Sequence, residues 1–331
     1  MRVLVTGVAG FIGMNLTRHL LARGDSVIGI DNLNDYYSVQ LKQDRLAEIE
    51  GVGGDFKFVK VDFADHEALE AALTGESFDR IVHLGAQAGV RYSIENPRAY
   101  IQSNVVGHLN LLEVARHRRV EHMVYASSSS VYGSNTNLPF SVDDRVDHPV
   151  SLYAATKKSD ELMSETYAHL YRLPLTGLRF FTVYGPWGRP DMAMWIFTKA
   201  ILEDRPIPVF NHGKMQRDFT YIDDIIAGVI ACLDSPPADN GLAKAGGGVG
   251  PHALYNIGNH RSEQLGHMID LIEAACGKTA IRDLQPIQPG DVPATYADID
   301  AIQQALGFQP RTSIDVGVPR FVEWYRGYHR A

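Results

Sequence analysis

The sequence predicts an α/β protein built on a doubly wound parallel sheet, with a smaller C-terminal α/β unit. Three observations carry this. Short apolar, β-branched segments alternate with amphipathic ones through the first half of the chain. A glycine-rich turn, Thr6-Gly7-Val8-Ala9-Gly10-Phe11-Ile12-Gly13, joins the first strand-like segment to the first helix-like one. After Tyr184 the alternation loosens, and Pro186, Pro190, Pro206 and Pro208 punctuate short elements.

In chain order, residues 3–6 read as a strand, 11–23 as a helix and 26–31 as a strand. Residues 56–62 give a further strand, 66–73 a helix and 80–84 a strand. A helix over 99–117 ends in Arg116-His117-Arg118-Arg119, where cations suit the carbonyl end of the helix. A strand at 122–127, a helix at 152–171 and a strand at 175–181 complete the first half. Residues 223–233 form a helix, and 253–257 a strand that returns to the sheet. The expected division is residues 1–182, with returning segments near 218–235 and 253–259, and residues 183–331 as mainly a substrate-binding unit.

At 331 residues the chain is long enough to bury a large core. Its 45% hydrophobic and 21% charged content is that of a globular protein, and no stretch approaches a membrane span. The net charge of -8 argues against a nucleic-acid partner while allowing a small anion in a local basic pocket. Cys232 and Cys276 are too few and scattered for a metal site or a disulfide framework. A reducing, cytoplasmic setting is expected.

The glycine turn follows a strand, opens a helix and is answered by Asp31 at the end of the second strand, which is the Rossmann-type arrangement. Gly7, Gly10, Phe11, Ile12 and Gly13 would let the backbone approach a pyrophosphate at the helix N-terminus. Asp31 would accept hydrogen bonds from a ribose and repel a 2′-phosphate, which favours NAD over NADP. Asp62 and Phe63 are placed to meet the adenine edge. Leu84, Ala86, Gln87 and Asn104 are placed to line the ribose and nicotinamide.

Tyr153 and Lys157 sit four apart in a helical segment and so share one face. Alone, a phenol titrating near ~10 and an amine near ~10.4 are poor bases at neutral pH. An ammonium beside the phenol favours its anion, which is then a general base for an alcohol about to lose hydride. The same spacing arises on any solvated helix. The glycine turn, Asp31 and Ser128 weigh against that reading.

The Gly7–Gly13 turn, the serines at 127–130 and the Tyr153/Lys157 pair, in this order, resemble the extended short-chain dehydrogenase/reductase family. Further blocks are similar to the UDP-glucuronate 4-epimerases within it. They are Asp31-Asn32-Leu33-Asn34-Asp35-Tyr36-Tyr37, Gln87-Ala88-Gly89-Val90-Arg91-Tyr92-Ser93, Gly185-Pro186-Trp187-Gly188-Arg189-Pro190-Asp191-Met192, Arg217-Asp218-Phe219-Thr220-Tyr221-Ile222-Asp223-Asp224 and Gln288-Pro289-Gly290-Asp291-Val292. The resemblance implies a permanently held NAD, with Asn32 beside Asp31 at the cofactor. It implies that Tyr153 takes the proton of the sugar 4-hydroxyl while carbon 4 gives hydride. The 4-ketone then turns over and is reduced on its other face. Lys157 would orient the ribose, and Ser128 would hydrogen-bond the reacting oxygen. Arg189 and Arg217 would anchor a uridine diphosphate, with Arg91 near the sugar end and Asp291 at the uridine ribose. Gln288 stands where hexose epimerases of the group often carry an arginine. A homodimer is expected, paired through the helices at 99–117 and 152–171.

Residues 127–133 read Ser-Ser-Ser-Ser-Val-Tyr-Gly, where dehydratases of the family carry an Asp-Glu pair and decarboxylases a Glu. Ser129 and Ser130 remove those carboxyl groups, and hydroxyls suit a substrate carboxylate that a Glu would repel. Ser128, Ser129, Ser130 and Thr182 would then hold that carboxylate. A UDP-hexose 4-epimerase, a UDP-glucuronate decarboxylase and a non-catalytic NAD-binding sensor remain the alternatives.

Overall fold

The computed structural model describes residues 1–288 and 290–330. Its larger sheet has seven parallel strands in the order β10-β6-β5-β4-β1-β2-β3. The first half supplies β1 (Arg2–Thr6), α1 (Phe11–Ala22), β2 (Ser26–Asp31), α2 (Val39–Val52), β3 (Phe56–Lys60), α3 (His66–Ala72) and β4 (Arg80–His83). Then come α4 (Tyr92–Glu95), α5 (Pro97–Tyr100), a π turn (Ile101–Val106), α6 (Gly107–Arg118), β5 (His122–Ser128), α7 (Leu152–Tyr171) and β6 (Leu175–Phe180). The order reverses between β1 and β4, so the crevice at their carboxyl ends is where an α/β sheet of this kind binds ligands. The strands read as apolar runs because both sheet faces are covered; Val3, Leu4 and Val5 of β1 are each fully buried.

The remaining elements are β7 (Thr182–Tyr184), α8 (Ala193–Leu202), β8 (Ile207–Val209), β9 (Gln216–Tyr221), α9 (Ile222–Asp234), β10 (His252–Ile257), β11 (Ser262–Gln264), α10 (Leu265–Cys276), β12 (Arg282–Leu284), α11 (Asp300–Leu306) and α12 (Ile314–His329). β10 enters the large sheet beside β6, as expected of a returning strand. The stretch expected to return near 218–235 divides. α9 packs on α1, but β9 pairs with β7 and β11 in a separate three-stranded sheet. That small sheet faces the carboxyl edge of the large one and brings β9 to the cavity.

Two differences from the sequence reading bear on the site. α2 was not anticipated, because its buried face of Leu41, Lys42, Arg45, Leu46 and Ile49 mixes two cations into the apolar periodicity. Ser38 starts it, its hydroxyl accepting from the Leu41 amide at 3.3 Å. The expected helix at 99–117 is broken into α5, the π turn and α6. Widened turns of this kind often occur at functional sites, and this one carries Asn104.

Candidate active site

A cavity of about 850 Å³ opens along the carboxyl edge of the large sheet. Its lining contains Gly7, Gly10, Phe11, Ile12, Gly13, Asp31, Asn32, Phe63, Leu84, Ala86 and Gln87 on one side. Arg91, Ser128, Ser129, Ser130, Tyr153, Lys157, Thr182, Arg189, Arg217 and Asp291 lie on the other. The fold thus gathers almost all of the expected residues around one space.

The glycine turn is fitted to backbone contact. Gly7 has φ +69, and a Cβ there would stand 2.8 Å from the Cα of Gly85, on the neighbouring β4 loop. A Cβ on Gly13 would lie 2.1 Å from the Gly7 carbonyl oxygen. No side chain caps Gly10 at the start of α1, so the first amides of the helix remain available to an anion. Asp31 Oδ2 accepts from the Ala9 amide at 3.2 Å and Oδ1 from the Leu33 amide at 2.9 Å. Burial raises its carboxyl above the usual range, against the Leu33 amide and the nearby Lys42 ammonium. This carboxylate retains lone pairs for two ribose hydroxyls. The residues present fit NAD.

Asp62 and Asn104 do not line the cavity and act one step behind it. Asp62 accepts from Asn32 Nδ2 at 3.1 Å and from the Ala64 amide at 2.9 Å, which holds Asn32 at the rim. Asn104 accepts from the Gln87 amide at 2.8 Å. It donates to the Gln87 carbonyl and to Thr156 Oγ1, each at 3.0 Å. It therefore ties the wall at Gln87 to α7. Phe63 does line the space, its ring edge-on to His83 at 5.2 Å.

Ser151 caps α7, its hydroxyl accepting from the Ala154 amide at 3.1 Å, and this aims the first turn at the cavity. Tyr153 sits in that turn with its ring 5.9 Å from Tyr100. One turn on, Lys157 is 2% exposed and donates to Asp160 Oδ2 at 3.0 Å. Burial pushes the Asp160 carboxyl up to about 6 although Lys157 draws it down. Sequence reading missed Asp160; its spacing of three from Lys157 was the available signal.

β5 ends in Ser128, whose hydroxyl accepts from the Ser130 amide and donates to Ser130 Oγ, both at 3.1 Å. Ser127 donates to Glu161 Oε1 at 2.7 Å. Glu161 in turn holds Arg179 of β6 through two bonds of 2.8 and 3.0 Å, all fully buried. Burial opposes the Glu161 charge, but the Arg179 guanidinium holds the carboxyl below its ordinary value. The serine row is thus braced from behind by an ion pair absent from the sequence reading.

The three arginines differ in what they have left to offer. Arg189 forms a two-pronged pair with Asp191 at 3.0 and 2.5 Å, and Tyr36 donates to Asp191 at 3.2 Å. Arg91 pairs with Asp291 at 2.9 Å and stacks 4.4 Å over the Phe210 ring. Asp291 is therefore engaged by Arg91. Among the described residues, Arg217 donates only to the carbonyls of Gln216 and Pro293, at 2.8 and 3.3 Å. Burial lowers its guanidinium, with Asp291 raising and Arg91 lowering it. A half-buried cation bonded, among the described residues, only to carbonyls is the donor best suited to a phosphate. Pro289, in the block around Asp291, lies outside the described residues.

The comparisons with known proteins agree with this arrangement. A model of the NAD dependent epimerase/dehydratase family matches residues 3–258. Protein CapI of Staphylococcus aureus is 51% identical over the whole of both chains. A probable UDP-glucuronate 4-epimerase of Rhizobium meliloti is 46% identical, over 100% of this chain and 99% of its own. Among solved structures, the UDP-glucuronic acid 4-epimerase of Bacillus cereus in complex with UDP-glucuronic acid and NAD superposes with a TM-score of 0.88 at 32% identity. It covers 99% of this chain and 100% of its own. With its glycine turn, Asp31 and the Tyr153/Lys157 pair around one cavity, the chain belongs to the NAD dependent epimerase/dehydratase family.

Proposed function

We propose that this protein is an NAD-dependent UDP-glucuronate 4-epimerase, interconverting UDP-glucuronate and UDP-galacturonate through a transient 4-keto sugar. The observation that carries it is the row Ser128–Ser130, three neutral hydroxyl groups facing the same cavity as Tyr153 and Lys157. A uronate carboxylate finds donors there and meets no Asp or Glu from that row. The names of the relatives from Rhizobium meliloti and Bacillus cereus support the same reading.

Bound NAD supplies reversible acceptance of a hydride from carbon 4. The chain's own residues do the rest. Tyr153, as its anion, takes the proton of the 4-hydroxyl and later returns one to the same oxygen. Lys157, aimed by Asp160, presents a cation to the phenol side of the cavity. Ser128 donates to the reacting oxygen, and Arg217 binds the diphosphate, with Arg189 and Arg91 flanking it. Net oxidation is zero, so no external oxidant is needed.

The test is incubation of the purified protein with UDP-glucuronate, without added NAD, followed by product identification. A product of unchanged mass that co-elutes with UDP-galacturonate supports the reading. A pentose nucleotide makes the protein a decarboxylase, and conversion confined to neutral sugars a UDP-hexose 4-epimerase. No turnover at all, with NAD bound, supports a sensor.

No helix among the described residues is long and apolar enough to cross a membrane. Together with the nucleotide-sugar substrate and two free, buried cysteines, this supports a cytoplasmic protein. Ile101 and Leu109, and on α7 Leu162 and Leu170, are 40–60% exposed. Such residues on neighbouring helices suit a homodimer contact. A Leu162→Glu variant that elutes at the same mass as wild type by light scattering would count against that contact.

A further inference from the structure

Arg45, on α2, is completely buried, and every bond it makes is to an uncharged oxygen. Nη1 donates to the Ala9 carbonyl at 3.2 Å and to the Tyr37 hydroxyl at 2.7 Å. Nη2 donates to the carbonyls of Trp187 at 2.7 Å and Gly188 at 3.0 Å. Desolvating a guanidinium is costly, so its acceptors must be held in place to offset the loss. A planar fork can engage two chain segments at once, which a lysine ammonium on a flexible stem does less well.

The two segments it joins belong to opposite halves of the cavity. Ala9 lies inside the glycine cradle. Trp187 and Gly188 directly precede Arg189. Trp187 has φ 66, a left-handed conformation unfavourable for an L residue, and its carbonyl is one of those Arg45 holds. A second tie runs alongside: Tyr36, on the loop after Asp31, donates to Asp191, the partner of Arg189.

We propose that Arg45 is a positioning residue that latches the cofactor loop to the arginine-bearing 185–192 block. Occupancy of the nucleotide-sugar half of the cavity then stabilises the dinucleotide half, and the reverse holds by linkage. This rests on the proposed function for the identity of the two ligands, but not on turnover. It accounts for an internal cation that the chemistry at Tyr153 does not use.

The test uses purified holoenzyme and UDP as the probe. NAD release is followed with and without saturating UDP, by separating and quantifying free dinucleotide over time. In wild type, UDP slows release by roughly 5- to 100-fold, the usual range of coupling between sites. In Arg45→Met, release is faster and UDP no longer slows it; Arg45→Lys recovers part of the effect. Tyr36→Phe, which leaves Arg45 in place, weakens the UDP effect without removing it. If Arg45→Met does not fold, Arg45→Lys and Tyr36→Phe carry the comparison. An equal UDP effect in wild type and the variants overturns the latch, because a merely structural Arg45 would lower stability and leave the coupling intact. Calorimetry of UDP with the holoenzyme separates the two readings: UDP bound without coupling overturns the latch alone, and UDP not bound overturns the proposed function as well.

Discussion

Lys157 Nζ lies 3.0 Å from Asp160 Oδ2, with the two side chains 2% and 0% exposed. Lys157, the proposed partner of Tyr153 in the proton transfer, therefore has a fixed carboxylate partner. Among the described residues Asp160 Oδ1 has no hydrogen-bond partner, so this carboxyl is held in a poorly solvated place. Its burial weighs against its charge, while its bond to Lys157 positions that ammonium.

That balance can be tested by Asp160→Asn. The Asp160 carboxyl is raised from 3.8 to about 6, so it binds a proton more tightly folded than unfolded. Its contribution to stability is full below about 4 and lost as pH rises through about 6. The Asn variant should match wild type near pH 4 and exceed it at pH 7. With the Lys157 ammonium no longer aimed, kcat should fall about 10- to 100-fold. Thermal melts across this pH range check the first part, and a variant less stable than wild type at pH 7 contradicts it.

Tyr153→Phe keeps the ring that packs on Tyr100 and removes the proton acceptor. Turnover of UDP-glucuronate should drop by about 10²- to 10⁴-fold with little change in melting temperature. Retention of more than a tenth of the wild-type rate would remove Tyr153 from the base role.

The serine row has a sharper signature than rate. Oxidising carbon 4 of glucuronate makes a β-keto acid, which loses carbon dioxide when its carboxylate bond stands perpendicular to the ketone plane. Ser128, Ser129, Ser130 and Thr182 are expected to hold the group away from that angle. Ser129→Ala and Ser130→Ala should therefore increase release of a UDP-pentose, read by mass spectrometry. Slower variants that yield no decarboxylated product would show that these hydroxyls do not control the carboxylate.

Gly13→Ala addresses the cofactor cradle. Its Cβ would meet the Gly7 carbonyl at 2.1 Å, an atom of backbone that cannot swing aside. The turn must open, and the purified variant should carry little NAD, measured by absorbance of the dinucleotide released on denaturation. Overpacking of this kind costs about 1–3 kcal/mol. Full NAD content in the variant would mean that the turn is not the pyrophosphate site.

What could be read from the sequence was local. A glycine turn between a strand and a helix, a carboxylate at the next strand end and a Tyr and Lys one turn apart are short-range patterns. Each fixes which way a few side chains face, and the fold brought them to one cavity. The helix α2 escaped because Lys42 and Arg45 occupy positions on its buried face, where periodicity leads one to expect apolar residues.

What the tertiary structure alone decided was the pairing of buried charges and polar groups. Arg45 reaches carbonyls 142 and 143 residues away, Tyr36 meets Asp191 across 155, and Arg91 meets Asp291 across 200. Three arginines that looked alike in sequence became two that are paired with carboxylates and one, Arg217, bonded among the described residues only to carbonyls. A polar group's role depends on which partner compensates its desolvation, and that partner is set by long-range packing that no local pattern encodes.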